Sequence, residues 1–436
     1  MTTLTMNRAH TTVAVEPQET TTTTCAIVGG GPAGAVLALL LARQGIDVTL
    51  LEKFSDFDRD FRGDTIHPST LDLLDQMGLA ERVLAIPHGE LRAVAFSVPG
   101  GMVKLAEFKD LKVKYPFIAM VPQSDFIDFL MAETQQYPNF HLHMSATVHE
   151  LIEEGGTVRG VIYDDQAGRH ELRALLTVGA DGRFSKVRHL LGSQPVKAAG
   201  SVDIVWFRLP RLPEDGEMPL GSSGPGVAVV CLPRPSDWQL GYILLKGSYK
   251  DFQAQGVEHL QAEVAHYLPP LAGRVKQLTD WKQVAFLSVE SSRVKQWWRP
   301  GVLLLGDAAH VMSPVAGVGI NYAIQDAVVA ANILSQPLKW GRVTDYQLAL
   351  VQQQREWPTK VIQTFQQLAQ ERILKASLTA GQSVQIPWPL RLPIVGKWLG
   401  RKIAHLIAYG PRKVTLKVGR QADETIARSF VLALSD

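Results

Sequence analysis

Three stretches of this 436-residue chain place phosphate-, sugar- and charge-binding residue types directly behind short apolar runs. The first is Gly29-Gly30-Gly31-Pro32-Ala33-Gly34, which follows the apolar residues 25–28 and opens a helical pattern over 35–44. Strand, glycine turn and helix in that order make a dinucleotide-binding turn. Gly29 permits the bend, Gly31 lets the backbone approach a pyrophosphate, and Gly34 lets the helix pack close to its strand. The helix start then offers free N–H groups and a positive dipole end. Glu52 ends the next apolar run, at the spacing from which a carboxylate bonds a ribose hydroxyl. A carboxylate there repels a 2′-phosphate, so FAD or NAD is favoured over NADP.

The second stretch is Gly179-Ala180-Asp181-Gly182-Arg183-Phe184-Ser185-Lys186-Val187-Arg188, where an apolar run ends on an acid and turns into a short helix. An ordinary Asp-Gly turn with Ser185 as a helix cap is the competing interpretation. The third runs from Gly306 to Asn321. Asp307 stands just past the apolar residues 302–305, Pro314 interrupts the chain, and Gly317 and Gly319 free the backbone before a helical pattern that starts near Asn321. An acid at a strand end can accept hydrogen bonds from a sugar-alcohol chain. N–H groups at a helix start can stabilise negative charge on a ring system. His310 lies inside this stretch and is expected to be packed or solvent-facing instead of acting as a base.

The order and content of the three stretches resemble the single-component FAD-dependent aromatic hydroxylases, the para-hydroxybenzoate hydroxylase-like flavoprotein monooxygenases, over roughly residues 24–360. The resemblance implies FAD bound by Gly29, Gly31, Ala33, Gly34, Glu52, Arg62, Gln123, Asp181, Asp307, Pro314, Gly317, Gly319, Ile320 and Asn321. Arg62 and Pro314 are the positions it assigns to catalysis, and no protein nucleophile is called for. It implies that NADPH or NADH reduces the FAD and that O2 then adds to it. The resulting flavin hydroperoxide hydroxylates or epoxidises an aromatic or unsaturated organic substrate. The Trp-x-Trp-x-Ile-Pro signature of flavin-dependent halogenases is absent. A reductase of isoprenoid-type substrates, and a non-catalytic FAD-binding partner protein, are the alternatives on the same scaffold.

These motifs need a frame, and composition supplies its class. With 46% hydrophobic and 20% charged residues, the chain has the balance of a globular protein of more than one packed unit. A formal net charge of +2 carries no long-range field that would recruit nucleic acid. Cys25 and Cys231, the two cysteines, suit a reducing, cytoplasmic compartment and provide no metal-ligand spacing. No apolar run reaches the length of a membrane span.

The expected fold is α/β: a Rossmann-type FAD-binding domain with an inserted, mainly antiparallel substrate sheet and a helical C-terminal segment. The expected boundaries are a disordered tail over 1–23, the FAD-binding domain over 24–90, 123–200 and 290–360, the substrate domain over 91–122 and 201–289, and the C-terminal segment over 361–436. Trp206, Phe207, Trp238 and Tyr242 are candidates to line the substrate pocket, each with a core role as the competing interpretation. Between Glu371 and Asp423 there is no acid, and ten lysines and arginines from Arg372 to Arg420 alternate with apolar residues such as Trp388 and Trp398. Such a segment can lie on an anionic membrane surface, or cap the two domains with its charges solvated. No polar pair announces a carboxylated phenol, so the expected substrate is bulky and apolar.

Overall fold

A computed structural model describes residues 19–58, 64–98, 101–198, 200–371, 378 and 393–418. Its central sheet is doubly wound: strands Trp298–Arg299, Val302–Leu304, Arg169–Gly179, Glu19–Val28, Val48–Leu51 and Phe140–His143 lie side by side in that order. All neighbouring pairs from Val302–Leu304 onward are parallel, and Val28 stands level with both Leu51 and Gly179, and Gly179 with Leu304. Their carboxyl ends therefore open on one edge, which is where ligands bind in sheets of this kind. Helix Pro32–Ala42 is buried on every side because it lies between this sheet and the long helix Gly319–Lys339, and its sequence, PAGAVLALLLA, has no polar face to expose.

Residues 19–23, expected in a disordered tail, instead extend the first strand. Glu19–Thr23 run parallel to His170–Ala174. The threonines are β-branched and suit a pleated strand, and their exposed faces explain why no apolar alternation marks them.

A second, seven-stranded sheet has the order Ala285–Ser288, Val202–Pro210, Asp237–Leu245, Val227–Pro233, Gly221–Gly224, Ala93–Val98 and Gly101–Glu107. One face carries Val205, Phe207, Leu209, Cys231, Trp238, Leu240 and Tyr242 against helices Tyr249–Gln253 and Val257–Tyr267. The other carries Ile204, Trp206, Ala228 and Ile243, with Leu378 packed on them. Helix Asp345–Ala369 runs unbroken past residue 360, so the boundary expected there falls inside one element. Helix Pro393–Tyr409 packs Ala404, Ile407 and Ala408 against Leu91, Phe108, Ile118 and Met120. This apolar stripe joins the core, while Val395 and Trp398 remain exposed.

Candidate functional site: four strand ends and a strained loop

The glycine turn is shaped by close backbone approaches. Gly29 has φ +102°, and a Cβ there would lie 2.6 Å from the carbonyl oxygen of Ala180, on the neighbouring strand end. A Cβ on Gly34 would fall 2.0 Å from the carbonyl oxygen of Gly29, so only glycine lets the helix begin this close to its strand. Around Gly31 the nearest heavy atom to a Cβ would be 4.0 Å away, which leaves the backbone open to a ligand. No side chain caps helix Pro32–Ala42 and no acid lies in its first turn. Glu52 is buried at the next strand end. It accepts from Gly30 N–H at 2.8 Å and Phe54 N–H at 3.1 Å, so it braces the turn it was expected to accompany.

Asp181 lies just beyond the strand Arg169–Gly179. Its carboxylate accepts from Ser185 Oγ (2.5 Å), Lys186 N–H (2.6 Å) and Val187 N–H (3.0 Å), and so fixes the start of helix Lys186–Leu190. Burial nevertheless pushes this carboxyl above its ordinary range, against the pull of those donors. The helix then directs Arg188, whose Nη1 donates to the carbonyls of Asp307 (3.2 Å) and Ala308 (2.9 Å). The second and third motifs are thus one assembly, with Arg188 clamping the turn that carries Asp307.

The same turn is held from behind. Gly306 N–H donates to Asp326 Oδ2 at 3.1 Å, and that carboxylate also takes His310 Nε2 at 2.6 Å and Arg355 Nε at 2.6 Å. Burial alone would raise the Asp326 carboxyl, but His310 and Arg355 hold it below its ordinary value. His310 is a packed residue in this buried network, its ring 4.9 Å from that of Trp297.

Beyond the turn, the loop around 315–317 contains Ala316 at φ 64° followed by Gly317 at φ 61°. A left-handed alanine costs roughly 1 kcal/mol, so other contacts must maintain it. Pro314 leads into this bend, and helix Gly319–Lys339 follows, carrying Ile320 and Asn321. Asn321 uses all four of its amide hydrogen-bonding capacities inside the protein. Its Oδ1 accepts from His67 N–H (2.8 Å) and Thr70 Oγ (2.7 Å), and its Nδ2 donates to the carbonyls of Thr65 (2.9 Å) and Gly317 (3.2 Å). Its side chain therefore ties the 65–70 segment to the loop and has no capacity left for a ligand. His67 is buried. Its Nδ1 meets the Ile407 carbonyl at 2.8 Å, and desolvation pushes the ring down to about 4, so it is neutral at physiological pH.

Gln123 begins helix Gln123–Thr134, and its N–H donates to Asp64 Oδ1 at 3.2 Å. Asp64 pairs in turn with Arg234 of the seven-stranded sheet, and both side chains are largely buried. Arg234 also donates to Gln239 at 3.2 Å. Burial, opposed by Arg234, raises the Asp64 carboxyl to about 6. Arg62 lies outside the described residues. Of the four aromatic pocket candidates, only Trp206 lies on the sheet face shared with Gln239, the face toward Asp64. Phe207, Trp238 and Tyr242 belong to the opposite core, and Trp238 donates to Asp215 there at 2.7 Å. Adjacent strand residues point to opposite faces, so Trp206 and Phe207 could never share a pocket. A Cβ on Gly241 would meet the Trp206 ring at 2.8 Å, so the indole lies across that glycine.

Sequence reasoning missed a row of glutamines on helix Asp345–Ala369 and its cap. Gln363 Nε2 donates to the carbonyls of Ser292 and Val311, both at 3.0 Å. Gln366 Nε2 donates to those of Ser313 and Val315, both at 2.7 Å. Gln370 Nε2 donates to Ser313 Oγ at 2.6 Å. Their i, i+3, i+7 spacing was the available signal, since it puts three amides on one helix face.

The open glycine cradle, the uncapped helix start and the acids at three adjoining strand ends define a dinucleotide-dependent oxidoreductase architecture, and these residues fit FAD. The FAD binding domain family model matches residues 21–363, and the chain belongs to that family. It is 31% identical over 390 residues to the 6-methylpretetramide 4-monooxygenase of Streptomyces rimosus, across 89% of this chain and 92% of that one. Among solved structures, the p-nitrophenol 4-monooxygenase of Pseudomonas putida superposes with a TM-score of 0.71 at 20% identity, covering 96% of this chain and 98% of that one. Pseudomonas aeruginosa PqsL in complex with 2-aminobenzoylacetate also gives 0.71, at 19% identity, over 82% and 97%. At these identities the structural matches speak for the fold. The sequence relative adds the activity class, FAD-dependent monooxygenation.

Proposed function

We propose that this FAD-dependent monooxygenase takes electrons from NADPH or NADH and places one atom of O2 on a bulky, largely apolar aromatic substrate. The observation that carries the substrate class is the sheet face of Ile204, Trp206, Ala228 and Ile243, joined to the cofactor-binding edge through the Arg234–Asp64 pair. That face is apolar and flat where Trp206 lies over Gly241, and its polar groups, Gln239 and Arg234, gather at one end. A fused-ring aromatic compound, apolar across its rings and polar at one edge, matches both features, and the 31%-identical relative is named a 6-methylpretetramide 4-monooxygenase.

When bound, FAD supplies electron transfer and oxygen activation. The chain supplies the rest. Gly29 to Gly34 and the helix start would take the pyrophosphate, Asp307 would take the sugar-alcohol chain, and the Ala316 N–H with the start of helix Gly319–Lys339 would face the ring system, since the N–H groups of Val315 and Gly317 are taken by Ser313 Oγ and the Pro314 carbonyl. The second sheet orients the substrate and keeps water out, so that reducing equivalents are not lost.

The test is to supply NADPH or NADH, 6-methylpretetramide and isotopically heavy oxygen gas to the FAD-loaded protein and read the product by mass spectrometry. One heavy oxygen atom per product supports the reading. Product gaining only hydrogen would point to a reductase, and flavin that is never reduced by either nucleotide would point to a non-catalytic role.

We also infer a peripheral contact with anionic membrane through the outer side of helix Pro393–Tyr409, where the exposed Trp398 has the Lys402 ammonium 5.7 Å from its ring centre. Among the described residues no helix is long and apolar enough to cross a membrane. Co-sedimentation with phosphatidylserine vesicles, lost in W398A/K402A, is expected. Equal recovery with and without vesicles would sink this contact.

A further inference from the structure

We infer that Gln366, supported by Gln370, is a positioning residue that sets the flavin's reduction potential without touching it. The inference rests on the FAD assignment above and extends it to residues that no motif includes.

The argument starts from peptide geometry. In a trans peptide the C=O of one residue and the N–H of the next point in opposite directions, and the described chain contains no cis peptide. Gln366 Nε2 holds the Val315 carbonyl at 2.7 Å, so the N–H of Ala316 is aimed away from helix Asp345–Ala369. Gln366 also holds the Ser313 carbonyl at 2.7 Å, which fixes the Ser313–Pro314 peptide, and Gln370 holds at 2.6 Å the Ser313 hydroxyl that accepts from Val315 N–H at 3.3 Å. All three partners are almost fully buried: Gln366 and Ser313 are each 1% exposed and Gln370 is 5% exposed. These bonds are therefore made in a water-poor setting, where a donor aimed at a carbonyl keeps its full directional effect.

The left-handed Ala316 needs contacts from outside its own segment to hold it, and Gln366 places both of its N–H bonds on the Ser313 and Val315 carbonyls that lead into it. Without it, the Val315–Ala316 peptide can relax and its N–H can turn from the ring system. An N–H aimed at a group that gains negative charge on reduction stabilises the reduced form more than the oxidised form. The quantity Gln366 controls is consequently the ratio of the two affinities, which is the potential.

The experiment compares wild type with Q366L, Q366E, Q370L and Q367A, each as FAD-loaded protein, by dye-coupled reductive titration, with FAD affinity from fluorescence quenching. Gln367 lies on the exposed side of the same helix and bonds Glu371, so Q367A controls for the helix. In Q366L the preference for reduced over oxidised FAD is expected to fall about tenfold, which for a two-electron couple is about 30 mV. Q366E keeps the shape but presents oxygens to carbonyls, and is expected to fall further. Q370L is expected to fall about threefold, and Q367A to match wild type. If Q366L holds no flavin, Q370L decides. A wild-type potential in Q366L, or in Q370L where Q366L is empty, overturns the inference, as does an equal shift in Q367A. Failure of every variant and of wild type to bind FAD would instead refute the cofactor assignment itself.

Discussion

The two ends of the cofactor site are built by different means. The glycine turn at residues 29–34 is shaped by its own backbone: contacts that a single Cβ would violate, at 2.6 Å and 2.0 Å, leave no other residue type possible at Gly29 and Gly34. The loop at 313–319 is shaped by side chains from elsewhere. Asn321, Thr65, Gln366 and Gln370 hold carbonyls and a hydroxyl across separations of up to 252 residues. The first design is local and rigid. The second is distributed, and its conformation can be tuned by residues that never meet the ligand.

Substitutions should separate the two designs. G34A puts a methyl group into the Gly29 carbonyl, and the expected result is no FAD retained on purification, with affinity lowered by at least about 100-fold in a fluorescence titration. Retention of wild-type affinity would mean the turn can shift and is not the rigid half. N321A removes four hydrogen bonds around the loop but adds no clash. Buried unpaired groups cost about 1–3 kcal/mol each, so the expected result is a clear fall in thermal stability and roughly tenfold weaker FAD binding. An unchanged affinity would mean that the loop organises itself.

The second sheet offers a further contrast, between its two faces. W238A opens a cavity in the outer core and is expected to cost about 3–5 kcal/mol of stability by denaturant titration, with substrate KM unchanged in the protein that remains folded. W206A is expected to change KM several-fold at smaller cost. The reverse pattern would mean that the sheet faces are wrongly assigned to core and substrate.

The smallest expected effect concerns pH. Asp64 titrates near 6 in the fold, above its ordinary carboxylate value, so the folded protein binds this proton more tightly than the unfolded chain does. Its contribution to stability is therefore greatest at low pH and is lost as pH rises to about 6, with no further change above. The consequence for function has the opposite sense. Lowering pH from 7 to 5 neutralises Asp64 and weakens its link to Arg234, so KM is expected to rise through an inflection near 6. D64N should remove the inflection and show the higher KM throughout; an inflection that survives in D64N belongs to another group.

What could be read from the sequence follows the same division. The turn at 29–34 and the placement of the acids Glu52, Asp181 and Asp307 at strand ends were legible because they depend on neighbours a few residues away and on apolar runs. Asn321 was legible as part of a motif, but its work inside the protein was not, since its partners His67 and Thr70 come from a distant segment. The glutamines at 363, 366 and 370 carried a visible helical spacing. Nothing in their own segment said which loop that face would meet. Strand alternation would have separated Trp206 from Phe207, which were both offered as pocket residues, although only the packed structure showed which face was the outer core. The threonine strand at 20–23 was missed because its partner, 171–174, supplies the order that its composition does not advertise.

The central claim, that one FAD site is assembled from these distant segments, is tested most directly by an experimental structure of the protein with FAD bound. The expected result is pyrophosphate against Gly31 and the start of helix Pro32–Ala42, ribose near Glu52, the sugar-alcohol chain on Asp307, and the ring system against the N–H groups of the loop after Pro314. A cofactor bound elsewhere, or one reaching only the glycine turn while the loop from Pro314 to Gly319 stays free of it, would contradict the claim.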